Sequence, residues 1–173
     1  MRIYLLFTFL LLSSYTLAES YSFAFVPQQS AKKLANKWQP VLDYLSKATG
    51  EKFVFVTAKD IPKFEARLAE EYYDFAYMNP YHFTVFNEDP GYQAMAKQSN
   101  KQIKGIIVVH KDSDIHGLED LQGATIAFPA PAAFAATLLT KAEFRKRNIA
   151  IKPRYVSSHD SVYLNVSRKM LSA

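Results

Sequence analysis

The chain is 173 residues long, 49% hydrophobic and 14% aromatic, with 21 basic against 16 acidic residues and a formal net charge of +5. It holds no cysteine, which excludes disulfides and thiolate metal sites. The positive charge is scattered: it suits a small anion but lacks the dense basic patch that nucleic-acid binding requires.

The chain opens with Met1-Arg2, then an apolar run from Ile3 to Leu12, then Ser13-Ser14 and Thr16-Leu17-Ala18. Charged, apolar and small residues in that order make an export signal. Its apolar core is about ten residues, half of the ~20 that span a bilayer. Residues 1–18 therefore read as a cleavable signal peptide, with an uncleaved anchor as the alternative. Export without cysteine points to a bacterial envelope protein.

Tyr21 to Val26 is rich in aromatic and aliphatic residues and reads as a strand ending at Pro27-Gln28-Gln29. Ser30 can cap a helix carrying Leu34, Trp38, Val41, Leu42 and Leu45 at helical spacing and stopping at Gly50. Phe53 to Val56 is a second strand, and Asp60 and Pro62 start a helix through Leu68 and Glu71. Phe75 to Met78 is a third strand, broken by Asn79-Pro80, and Tyr81 to Phe86 follows as a short helix. Further strands are expected at Gln93 to Lys97 and Ile103 to His110. Then come a short helix at Leu118 to Leu121, a strand at Thr125 to Phe128, a long helix from Ala132 to Arg147, a strand at Lys152 to Val156 and a helix from Ser161 to Met170. Strands alternating with helices predict an α/β fold, its mainly parallel sheet flanked by helices.

Ligands in such sheets bind at the carboxyl ends of the strands. Four strand exits qualify: Pro27 to Ser30, Tyr77 to His82, Pro129 to Ala133 and Ser157 to Ser161. Tyr77 and Tyr81 offer phenolic donors and Asn79 an amide, although each tyrosine serves equally well as an amphipathic core residue. At Ala132 and Ala133 only backbone N–H groups could meet an anion. In the last loop His159 can donate to an anion, while Asp160 or Ser161 can cap the following helix. Ser157-Ser158-His159-Asp160-Ser161 also holds the residue types of a serine hydrolase. Neighbouring residues cannot converge as a triad does, and the chain has no Gly-x-Ser-x-Gly elbow, so no catalytic residue is assigned. The four histidines, His82, His110, His116 and His159, lack ligand spacing, so no metal site is assigned and no cofactor is expected.

Four stretches resemble the periplasmic solute-binding proteins of phosphonate, phosphite and phosphate ABC transporters. They are Phe23 to Pro27, Asp74 to Pro80, Leu118 to Phe128 with its Leu-Glu-Asp-Leu-x-Gly segment, and Ser158 to Val162. The resemblance implies a type II periplasmic-binding-protein fold of two α/β lobes with ligand trapped between them. Residues 19–110 would form the first lobe and 111–173 part of the second, since family members run on for roughly another domain's worth of residues. It also implies a monomeric periplasmic binder of a small oxyanion that hands it to an inner-membrane permease, in which Tyr77 is the cleft tyrosine and His159 the oxyanion contact. Ala130, Pro131, Ala132 and Ala133 stand where phosphonate binders carry serines and threonines. A truncated gene product and a sensory module of a signalling protein are the alternatives on the same fold. A cytosolic enzyme of related architecture fits neither the export signal nor the lack of cysteine.

Overall fold

The computed structural model describes residues 19–173; the export signal expected at residues 1–18 lies outside the described residues. In chain order the elements are β1 (Ser20–Phe25), α1 (Ala31–Thr49), β2 (Lys52–Thr57), α2 (Ile61–Ala69), β3 (Phe75–Tyr77) and α3 (Pro80–Phe86). A 3-10 turn (Glu119–Leu121), β4 (Thr125–Phe128), a π-helical segment (Phe134–Leu139), α4 (Thr140–Lys146), β5 (Lys152–Tyr155) and α5 (His159–Ser167) follow. Two parallel sheets result, ordered β2-β1-β3 and β4-β5. This is the expected alternation of parallel strands and helices.

The alternation within β1 gives its sheet two different faces. Tyr21, Phe23 and Phe25 project to one side, where Phe53, Phe55 and Phe75 join them with ring centroids 5.1–5.9 Å apart. Trp38 of α1 stacks on Phe25 at 4.8 Å. Ala24 and Val26 project to the other side, where α2 buries Ile61, Phe64 and Leu68 against them. Both α1 and α2 begin where the sequence provides a cap. Ser30 Oγ accepts the Lys33 N–H at 3.4 Å, and Asp60 Oδ1 accepts the Lys63 N–H at 2.8 Å. Gly50 ends α1 in the left-handed conformation, φ +79°, its N–H donating to the Ser46 carbonyl.

Asp74 ties the start of β3 to β1. Its carboxylate accepts the N–H and the hydroxyl of Ser22, both at 2.7 Å, while Ser22 Oγ accepts the Asp74 N–H at 2.9 Å.

Three expectations are corrected. Gln93 to Lys97 and Ile103 to His110 form no strand. Their apolar residues are right for one, but among the described residues no chain pairs with the backbone there, and only side chains such as Ile107 and Val109 pack on the second core. The helix expected from Ala132 to Arg147 starts at Phe134, and its first part is a π-helix. Thr137 Oγ1 donates to the Ala130 carbonyl at 2.7 Å and Thr140 Oγ1 to the Ala135 carbonyl at 3.1 Å, while the Leu138 N–H reaches back five residues to Ala133. Gly105 lies against this widened turn, where a β-carbon would collide with the Ala135 carbonyl oxygen. Finally, α5 begins at His159 and is capped by Ser158, not by Asp160 or Ser161, because it is Ser158 Oγ that accepts the Ser161 N–H, at 3.1 Å.

Phe64, wholly buried under the first sheet, gives a direct test of this packing: Phe64→Ala should cost about 3–5 kcal/mol, read as a lower urea midpoint. Hydrogen bonds from the Ser22 hydroxyl, then from its backbone N–H, hold the Asp74 carboxyl below the usual aspartate range. Its stabilisation is therefore full above that range and is lost as pH falls through the lower folded-state value. Asp74→Asn should flatten that acid limb of the stability profile.

Candidate functional site

The exits of β1, β3 and β4 share one apolar cluster, in which Val26, Met78 and Ala130 pack together with Ala24 and Phe64. The Val26 N–H donates to the Tyr77 carbonyl at 3.2 Å, and beyond β5 the Val156 N–H donates to the Phe128 carbonyl at 2.9 Å. The first turns of α1 and α5, one from each sheet's neighbourhood, meet where Lys33 Nζ lies 3.1 Å from Asp160 Oδ2. Four strand exits are thereby gathered on one side of the molecule, which is what parallel sheets need to build a site.

The candidate residues fall into two groups. Tyr77 and His159 remain available. The Tyr77 ring packs at a tilt on Trp38 at 4.8 Å and on Phe25 at 6.0 Å, with 44% of the residue exposed. The aromatic ladder fixes the ring and leaves its edge in solvent. His159, the first residue of α5, lines a small apolar cavity of about 50 Å³ with Phe128, Pro129, Thr140, Val162 and Tyr163, room for about three water molecules. That apolar wall explains why desolvation pulls the His159 imidazole below the usual histidine range, while the neighbouring Asp160 charge pulls it part of the way back. His159 is accordingly neutral at pH 7.

Several other candidates are engaged locally. Asn79 caps α3, its Oδ1 accepting the His82 N–H at 2.9 Å. Tyr81 sits half-exposed on the first turn of α3, its carbonyl accepting the Thr84 hydroxyl at 2.8 Å. The Ala133 N–H donates to the Ala130 carbonyl at 3.3 Å, so of the two alanines only half-buried Ala132 keeps an uncommitted N–H among the described hydrogen bonds. Ser161 gives its N–H to Ser158 Oγ and keeps its own hydroxyl 2.9 Å from that same oxygen. His82, exposed only 1%, is a core residue: Nε2 lies 2.9 Å from Glu65 Oε1 and the ring packs on Phe64. Among the described residues no group of three potential ligands could hold a metal ion, and no helix is long and apolar enough to cross a membrane.

Sequence reasoning passed over Lys33 and Trp38. Lys33 is one of many dispersed lysines and carries no motif. Trp38 lies at core spacing on α1, and only its three-dimensional contact with the Tyr77 ring brings it to the site.

Residues 23–173 match the family described as ABC transporter, phosphonate, periplasmic substrate-binding protein. A sequence comparison with curated proteins gave no match. The structure is similar to a binding protein component of an ABC phosphonate transporter from Pseudomonas aeruginosa, at 19% identity and a TM-score of 0.70 over 88% of this chain and 55% of that one. It is also similar to PhnD1 from Prochlorococcus marinus in complex with methylphosphonate, at 13% identity and a TM-score of 0.72 over 88% of this chain and 61% of that one. A Xanthomonas citri protein bound to chloride ion aligns at 17% identity with a TM-score of 0.58, over 88% and 63% of the two chains. At these identities the likeness is one of fold, and this chain spans only 55% and 61% of the length of the first two.

The environment of His159 can be checked by NMR. Its imidazole should titrate below an ordinary histidine, and Asp160→Asn should lower the midpoint further by removing the charge that favours protonation. An unchanged midpoint in the variant would remove Asp160 from its surroundings.

Proposed function

The chain belongs to the periplasmic substrate-binding proteins of phosphonate ABC transporters, and we propose on that premise that it captures a small oxyanion in the periplasm for delivery to an inner-membrane permease. Phosphonate, phosphite and phosphate are the ligand class. Residues 1–18 act as the export signal in this reading. No bond is made or broken; binding alone is the function.

The observation that carries the proposal is His159, neutral and partly buried in an apolar wall at the start of α5. An anion arriving there finds a donor that need not first release a competing counter-ion. The negative charge favours the imidazolium, so binding takes up a proton. The resulting charge-assisted hydrogen bond contributes about 1.5–3 kcal/mol in a site that excludes water. Tyr77 supplies a second donor whose ring is already fixed by Trp38 and Phe25, so little rotamer freedom is lost on binding. Since Ala130, Ala132 and Ala133 bring no hydroxyl, recognition rests on these two side chains and on backbone N–H groups.

Methylphosphonate, the ligand in the Prochlorococcus marinus complex, is the first probe, with phosphite and inorganic phosphate beside it. In calorimetry, His159→Ala should weaken the bound anion roughly ten- to hundredfold, and Tyr77→Phe should weaken it while leaving the fold intact. Affinity of the parent chain should also rise more steeply than that of His159→Ala as pH falls, because only the parent takes up the imidazole proton. No binding of any of the three anions would refute the proposal.

A further inference from the structure

We propose that Lys33 and Asp160 form an ionic clasp that holds the two halves of the protein together across the oxyanion site. Lys33 stands in the first turn of α1, beside the first sheet; Asp160 stands in the first turn of α5, beside the second. Their charged atoms are 3.1 Å apart although 127 residues separate them in sequence. The other ion pairs among the described residues stay within one half or join near neighbours at the junction: Lys59 with Asp60 and His82 with Glu65 in the first, Arg147 with Glu119 and Glu143 and Lys169 with Asp112 in the second, and His110 with Asp112 where the two meet. Among the described side-chain hydrogen bonds, that of Lys33 with Asp160 alone joins the halves over a long stretch of sequence; the Asp112 N–H donating to His110 Nδ1 joins near neighbours at the junction itself.

The surroundings make the pair suitable for opening and closing. Lys33 is 62% exposed and Asp160 33% exposed, so each can return to water at small cost when the halves part. Both sit on turns fixed by serine caps, Ser30 for α1 and Ser158 for α5, which aim the two side chains from rigid bases. Asp160 directly follows His159, so the clasp closes beside the donor assigned above to the anion. Ala130, from beyond β4, packs in the apolar cluster of the first half and adds a non-polar contact between the same two halves.

The consequence for binding rests on the oxyanion reading; the clasp itself does not. Because the chain has no cysteine, the variant Lys33→Cys with Asp160→Cys carries the only thiols and reports their approach directly. The pair should form an intramolecular disulfide under mild oxidant in the full chain, faster than a control with Lys37→Cys in place of Lys33→Cys. Trp38, the single tryptophan, packs against Tyr77 and reports anion release by stopped-flow fluorescence. Asp160→Asn and Lys33→Gln should each speed methylphosphonate release up to about fivefold, as expected for an exposed pair. The swap Lys33→Asp with Asp160→Lys should restore most of the parent rate, and high salt should erase the differences. A disulfide no faster than the control, or single variants that release the anion at the parent rate, would overturn the clasp. A rapid disulfide in a chain that binds none of the three anions would support the clasp and refute the oxyanion reading.

Discussion

The structure depends on the position of β1 between two parallel partners. A strand hydrogen-bonded on both edges and covered on both faces must be apolar in two ways at once. Tyr21, Phe23 and Phe25 supply the aromatic side, and Ala24 and Val26 the small aliphatic side. The difference in size decides what covers each face. The aromatic ladder is broad and receives the 19-residue α1 with Trp38, whereas the flatter face admits the shorter α2 to close contact through Phe64. Parallel order then sends every strand exit to the same side, and the site follows from that.

Much of this was legible in the residues because local signals agreed with one another. Ser30, the apolar spacing through Leu45 and the stop at Gly50 describe one helix, and that helix runs from Ala31 to Thr49. The three strands of the first sheet and both strands of the second were similarly marked by compact apolar runs between turn residues. The segments at residues 93–97 and 103–110 were misread because a strand is a property of a pair, and composition carries no information about whether a partner is present. The alanine-rich helix was misread for another reason. Alanine favours helical winding without marking where a π turn falls, and the widened turn coincides with two threonine hydroxyls on backbone carbonyls and with the close approach of Gly105.

Individual site residues were harder to read than the loops that carry them. A motif shows which strand exit is chemically rich but not which polar group is already spent on holding the turn. Asn79 and Ser161 are occupied by helix caps, and the Ala133 N–H by its own turn, while Tyr77 and His159 are held by packing and keep their polar edges. Lys33 carried no signal at all, since a partner 127 residues distant is invisible to spacing.

The widened turn at Phe134–Leu139 acts as a phase shifter. Each residue gained in one turn rotates everything downstream about the helix axis, so Thr137 and Thr140 are both buried while α4 still lays Phe144 into the second core. The register of α4 against β4 is therefore set upstream of α4 itself, in the loop-proximal turn that begins at the β4 exit. An extra residue in the loop after β4 can be absorbed by this turn, leaving the core behind it in step.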